Sequence, residues 1–236
     1  VVGAEGEALA QRLEYGPCGH GMQPVQGDST GKGRRARRMA QARRVCSSAA
    51  VLTLHLPCAR GTERCVEKEL EALGATEVKR GPGVVRAVGD WNLMARANVS
   101  SRCASKVLLE LARFEGVGTE AELIDALAGV PFEERLDEKG TFAIEAHLVD
   151  CAWTNAHYAA QRTKDAVLDR LRDQGSGRPS VDRARPSLRF VLHWHKSTVT
   201  LSLDSSGEPL HLRGYRRGVE GQAPMKETLA ASILAM

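Results

Sequence analysis

The stretch LRFVLHWHKSTVTLSLD, residues 188 to 204, constrains this chain more than any other. Leu188, Phe190, Leu192 and Trp194 recur at every second position, and beyond Lys196 the residues Val199, Leu201 and Leu203 do the same. A period of two places each set on one face of an extended strand, so the two runs predict a hairpin with an apolar face that needs a cover. The cover lies just upstream. In NAHYAAQRTKDAVLDRLRDQG, residues 155 to 175, Ala156, Ala160, Thr163, Val167 and Leu171 follow one helical stripe, and Gly175 ends it. Before that, TFAIEAHLV (141 to 149) alternates Phe142, Ile144, Ala146 and Leu148 with Ala143, Glu145 and His147, as a half-buried strand requires. Strands that need helices as their cover predict an α/β (α+β) protein with helices packed on a sheet.

The same grammar runs from residue 51. VLTLHL (51 to 56) reads as a strand. A helix follows, with Thr62 as N-cap, Val66, Leu70 and Leu73 on one face, and Gly74 as its stop. Gly81 to Gly83 form a turn before the strand VVRAV (84 to 88), and a helix near 90 to 98 precedes a strand through KVLLELARF (106 to 114). The acidic segment 119 to 129 fits a helix with Leu123 and Leu127 on one face. There is no internal repeat. With 236 residues the chain can bury a core without staples. Its six cysteines contain no C-x-x-C pair, which predicts reduced thiols in a reducing compartment. No apolar run approaches the roughly 18 residues a membrane helix needs, so no membrane is expected as a partner.

Charge is unevenly distributed. Residues 1 to 50 hold eight Lys/Arg against four Asp/Glu, which accounts for the whole net charge of +4. Residues 115 to 138 carry eight acids and only Arg135, whereas 178 to 217 carry eight bases against Asp182, Asp204 and Glu208. A basic surface on a neutral body is therefore expected. Arg178, Arg183, Arg185, Arg213, Arg216 and Arg217 stand in loops beside the terminal hairpin, stiffened by Pro179, Pro186, Gly214 and Gly218, and Arg162 and Lys164 belong to the preceding helix. Planar guanidinium forks held in this way suit phosphate oxygens. A solvated arginine-rich surface is the alternative.

Chemistry beyond binding finds little support. GDSTGKG (27 to 33) has three residues between its glycines and no hydroxyl after Lys32, so it is not a phosphate-binding loop. His193 and His195 share a strand face and His147 could sit on a neighbouring strand, but no acidic or cysteine ligand stands near the hairpin pair in sequence, and no metal is expected. No nucleophile elbow and no glycine-rich dinucleotide or methyl-donor loop occurs, so no catalytic residue is assigned. The aromatic fraction of 4% speaks against an aromatic-rich binding platform.

SLDSSGEPLHLRGYRRGVEGQAPMKETLAASIL resembles the THUMP-domain RNA methyltransferases, in particular the bacterial-type large-subunit ribosomal RNA guanine-N2 methyltransferases. CARGTERCVEKELEALGA (58 to 75), GTFAIEAH (140 to 147), YAAQRTKDAVLDRL (158 to 171) and GRPSVDRARPSLRFVLHWHKSTVTLSLDSSG (177 to 207) follow in order, so the likeness covers 51 to 236. It implies a ferredoxin-like domain over 51–115, a THUMP RNA-binding domain over 116–205 and a linker over 206–222. Residues 223–236 would be the first helix of a Rossmann-like methyltransferase domain, with Pro224 in its first turn and Met225, Leu229, Ile233 and Met236 facing that domain's sheet. The family's cofactor loop and catalytic motif come after this helix, so this stretch is expected to bind no cofactor itself, with S-adenosyl-methionine serving the full-length enzyme. Lys226, Glu227 and Thr228 match the motif before that loop and are candidates for its edge. Arg60 and Tyr215 complete the set of RNA-binding candidates.

The implied function is to position structured RNA, large-subunit ribosomal RNA first, so that a downstream domain can methylate one base. A THUMP enzyme methylating or thiolating transfer RNA and a free-standing RNA-binding adaptor are the alternatives. Residues 1–50 match nothing in the family. They show no sustained apolar period and are expected to be disordered, and GKGRRARRMAQARRVCSSAA (31 to 50) reads as a transit-type segment, a nonspecific nucleic-acid arm or a linker. The expected compartment is the cytoplasm, or a plastid or mitochondrion under the transit reading.

Overall fold

The computed structural model describes residues 51–214 and 225–236, which fall into two units divided within 110–111 and 202–203. In the first unit, β1 (Leu52–Pro57), α1 (Glu63–Ala72), β2 (Glu77–Gly81), β3 (Val84–Gly89), α2 (Trp91–Ser100) and the start of β4 (Leu108–Glu115) succeed one another. The sheet order is β2-β3-β1-β4 with antiparallel neighbours, a ferredoxin-like arrangement. Leu52, Leu54 and Leu56 of the central β1 are buried, as are Cys65, Val66 and Leu70 of α1 and Leu93, Met94 and Ala97 of α2. Asp90 starts α2 by accepting the Leu93 N–H at 2.7 Å, a bond that holds its carboxyl below the usual range.

Strand β2 was not expected from the sequence. Glu77, Lys79 and Arg80 face solvent and give no alternation. The strand exists because Pro82 and Gly83 (φ 73°) turn the chain back so that it pairs with β3 from Glu77↔Val88 to Gly81↔Val84.

In the second unit, α3 (Glu120–Ala128) opens with a capping box: the Thr119 hydroxyl accepts the Glu122 N–H, and the Glu122 carboxylate accepts the Gly118 and Thr119 N–H groups. A 3-10 turn at Phe132–Glu134 leads to β5 (Thr141–Val149), α4 (Ala156–Asp173), β6 (Ser180–Val181), β7 (Leu188–His195) and β8 (Thr198–Asp204). The order is β8-β7-β5-β6. Strands β5 and β7 run parallel, from Phe142↔Leu188 to Val149↔His195, with α4 as the crossover between them. The expected hairpin stands, turning at Lys196 with φ 55°, and Trp194 donates its indole N–H to the Lys196 carbonyl at 3.0 Å.

The apolar faces close as the alternation requires. Phe190 meets Phe132 and Phe142 edge-on at centroid distances of 5.7 and 6.3 Å. On α4 the buried line is Ala159, Thr163, Ala166, Val167 and Leu171, rather than one through Ala156 and Ala160. Stepping back four residues from Thr163 reaches Ala159, and the Thr163 hydroxyl donates to the Ala159 carbonyl at 2.8 Å. Strand β6 was also missed, because its two residues are exposed and make a ladder only by meeting Thr141 and Phe142.

Helix α5 (Glu227–Leu234) belongs to the first unit. Thr228 and Ser232 are buried, and Cys65 donates its S–H to the Ser232 carbonyl at 3.6 Å. Met225, Ile233, Leu234 and Met236 remain exposed.

Candidate nucleic-acid interface

The loop from α4 to β7 carries Arg178, Arg183 and Arg185, all exposed and all without an ion-pair partner among the described residues. Its backbone is fixed from three sides. Ser180 and Val181 pair with β5, the Asp182 N–H donates to the Phe142 carbonyl at 3.1 Å, and Pro179 is buried. The one acid in the loop turns onto its own backbone: Asp182 Oδ1 accepts from the N–H groups of Ala184 and Arg185 at 2.9 and 3.1 Å. Three guanidinium forks are thus presented from an ordered edge with their donors turned to solvent.

Other candidates point their charge at the protein. Arg162 donates Nε to Glu120 and places Nη1 3.6 Å from Asp165; the Glu120 bond holds the guanidinium more firmly protonated than usual. Lys164 lies 3.0 Å from Asp165. Arg213 donates Nε to the Leu210 carbonyl at 3.0 Å, Nη1 to that of Val99, and Nη2 to those of Asn98 and Ser101 at 3.0 and 2.7 Å. It clasps the carbonyl end of α2, where a cation also complements the helix dipole. Arg60 is exposed in the turn after β1, which Glu63 secures by accepting the N–H groups of Gly61 and Gly83, both at 2.8 Å. Those bonds, that from Gly83 foremost, lower the Glu63 carboxyl. Tyr215, Arg216, Arg217 and Pro224, like GDSTGKG and the basic 31–50 segment, lie outside the described residues.

Lys226 caps α5 and is exposed, Glu227 is half-buried, and Thr228 is turned inward with its carbonyl accepting the Ser232 hydroxyl at 2.8 Å. His147 sits 3.2 Å from Glu145 and is the register partner of His193; among the described residues no group of three His, Cys, Asp or Glu could hold a metal. No helix among them is long and apolar enough to cross a membrane.

Three features escaped the sequence reading. Arg170 forks onto Glu133 at 2.7 Å and onto the Ala128 carbonyl at 3.1 Å, joining α4 to the end of α3; burial alone would raise Glu133, but this bond lowers it. Lys106 holds the fully buried Asp204 at 2.6 Å, whose other oxygen accepts the N–H groups of Ser206 and Gly207. Contrary to the expectation from composition, aromatic rings do gather at one place: Trp153 lies between the buried Trp194 (5.1 Å) and Tyr158 (5.4 Å).

Comparison with known proteins adds two domain matches and a set of relatives. Residues 53–108 match the RlmL ferredoxin-like domain and residues 118–204 the THUMP domain. The ribosomal RNA large subunit methyltransferase K/L of Dichelobacter nodosus is 41% identical over 179 residues, which is 76% of this chain and 24% of that protein. The chain therefore spans about a quarter of the length of such curated relatives. Among solved structures, a protein from Listeria monocytogenes described as a predicted N6-adenine-specific DNA methylase aligns with a TM-score of 0.70 and 31% identity, covering 79% of this chain and 48% of that one. A candidate methyltransferase, SMU.472, solved in complex with SAH, aligns with a TM-score of 0.67 and 25% identity, covering 78% and 48%.

Proposed function

Since the chain carries an RlmL ferredoxin-like domain followed by a THUMP domain and is similar over most of its length to K/L ribosomal RNA methyltransferases, we infer that it is the RNA-holding part of an enzyme that methylates a guanine N2 of large-subunit ribosomal RNA. One observation carries the reading: Arg178, Arg183 and Arg185 stand outward on a loop whose backbone and acid are already committed. A loop backbone fixed before the ligand arrives loses little freedom on binding phosphate, which helps a module set register without reading bases. Arg162 and Lys164 begin in pairs with Glu120 and Asp165 and would give up those partners to reach RNA. Arg213 orders the segment leading to Tyr215, Arg216 and Arg217, which we propose as further contacts, together with Arg60.

The methyl donor of the whole protein is proposed to be S-adenosyl-methionine, in keeping with the methyltransferase relatives and the SAH-bound neighbour. The part proposed for this chain's residues is positional. We propose domain limits of 51–115 and 116–205, a linker over 206–222 and, from 223, the opening helix of the catalytic domain. The exposed Met225, Ile233, Leu234 and Met236 would be that helix's apolar contacts. The compartment proposed, from the bacterial relatives, is the cytoplasm.

The test compares binding of an unmodified large-subunit ribosomal RNA hairpin and a transfer RNA at low and moderate salt. Tighter binding to the ribosomal hairpin, weakening with salt, is the expected result. Preference for transfer RNA would assign the chain to a transfer RNA enzyme instead.

A further inference from the structure

The second unit contains a cleft of about 340 Å³ lined by Glu120, Ala152, Trp153, Thr154, Asn155 and Tyr158. Its walls are held in place. Trp153 lies against the buried Trp194 at 5.1 Å and against Tyr158 at 5.4 Å, with ring planes tilted by 39° and 35°. The loop carrying Trp153 leaves β5 through Asp150, held at φ 48°, and the Cys151 S–H donates to the Trp153 carbonyl at 3.2 Å. Asn155 caps α4 by accepting the Tyr158 N–H at 3.0 Å. The Tyr158 hydroxyl donates to Glu120 Oε2 at 3.2 Å, while Arg162 neutralises the same carboxylate through Oε1. Yet Tyr158 is 44% exposed and Trp153 only half-buried, so aromatic surface faces water from a rigid frame.

Aromatic faces beside a carboxylate recognise a flat ring whose edge donates hydrogen bonds. We propose that this cleft binds one unpaired base of the RNA, stacked on Tyr158 and Trp153, with guanine favoured. Glu120 is the reason for that preference: guanine offers two adjacent donors, N1–H and N2–H, which match two carboxylate oxygens, whereas uracil offers a single N–H flanked by acceptors. The cleft is not built as a phosphate site, because the charged side chain in its lining is the carboxylate of Glu120. Base and phosphate recognition are thus separated, and the fold sets their spacing. The cleft lies beyond the C-terminal ends of the parallel β5 and β7, at the N-terminus of α4, and the arginine loop follows the C-terminus of α4. Eighteen residues of helix separate the two by about 27 Å, a distance bridged by about eight stacked nucleotides at 3.4 Å each.

The inference rests on the RNA-binding reading, and its test separates the two. Ten-nucleotide RNAs are titrated against the full chain: a uridine strand with one guanine near an end, the all-uridine strand, and a blunt duplex of equal length. The guanine strand should bind about tenfold more tightly than the duplex, with quenching of tryptophan fluorescence. Tyr158→Ala should weaken the guanine strand about 5- to 20-fold without changing the salt slope; Trp153→Phe should retain binding, and Glu120→Gln should bring guanine and uridine strands to within about twofold. Tyr158 is 44% exposed, so its loss should lower the unfolding midpoint only slightly, and a folded variant is checked on the same samples. If Tyr158→Ala binds as the parent does while replacing Arg178, Arg183 and Arg185 abolishes binding, the cleft proposal is wrong and the RNA reading survives. If the parent binds none of the three RNAs, both fall.

Discussion

Two arginine-bearing segments, alike in composition, have opposite environments. Arg213 aims its guanidinium at four backbone carbonyls, three of them at the end of α2, and acts as a clasp. Arg178, Arg183 and Arg185 have no ion-pair partner among the described residues and face solvent from a loop ordered by β6 and Asp182. The difference lies in what is within reach. A helix end leaves carbonyls unsatisfied and attracts any fork nearby, whereas a sheet edge whose ladder is already paired leaves its side chains to the solvent or to a ligand. Arginine in a basic segment is therefore a ligand contact only where the backbone has no need of it.

Removing the clasp should produce the largest effect. Arg213→Ala strands several carbonyls at a part-buried site, and unfolding of the full chain by denaturant should show a loss of about 3 kcal/mol. Arg213→Lys should recover only a minor share, because an ammonium cannot span four acceptors in a plane. An unchanged midpoint for Arg213→Ala would erase the distinction between the two segments.

The opposite pattern is expected for the loop. Replacing Arg178, Arg183 and Arg185 with alanine should change stability by no more than about 0.5 kcal/mol. Affinity for the ribosomal RNA hairpin should fall roughly 10- to 50-fold, and the salt slope should become shallower by about 2 to 3. A triple variant that unfolds as easily as Arg213→Ala would show that these side chains are structural too.

Alkaline pH offers a way to strain the clasp region. Cys103 is buried two residues beyond Ser101, whose carbonyl Arg213 holds, and burial pushes its thiol from about 9.0 up to about 11. Because the folded value is raised, this contribution is fully present below the ordinary thiol value and lost as pH rises through the folded one. Stability should decline between about pH 9 and pH 11, and Cys103→Ala should flatten that part of the profile. Equal decline in parent and variant would assign the effect to other groups.

What the sequence allowed one to read follows from range. The hairpin of β7 and β8 was legible because alternation is a local signal that burial on one face enforces, and so was α3 from Leu123 and Leu127 on one face, though its capping box was not read. Strands β2 and β6 were not, since exposed residues carry no period and only a partner strand makes them a ladder. The basic character of 178–217 was legible, but the fate of each arginine was not. Arg162 finds Glu120 at a separation of 42 residues and Arg213 finds Val99 at 114, distances over which no spacing rule operates. The aromatic cleft was hidden for the same reason: Trp153 and Trp194 stand on separate segments, and a low average conceals a local concentration.

The smallest effect expected is also the most discriminating between order and charge. Asp182 contributes an acceptor that shapes the arginine loop and a negative charge that opposes phosphate. Asp182→Asn retains the acceptor, so the N–H groups of Ala184 and Arg185 keep their partner while the charge disappears. Binding of the ribosomal hairpin should tighten about two- to threefold at low salt, with the gain fading as salt screens it. Asp182→Ala removes charge and acceptor together, and the freed loop must then be ordered by the ligand. If preorganisation is what makes these three arginines a site, the alanine variant should bind more weakly than the asparagine variant at every salt concentration. Two equal curves would leave the loop only its charge, and its geometry would no longer distinguish it from any other basic surface.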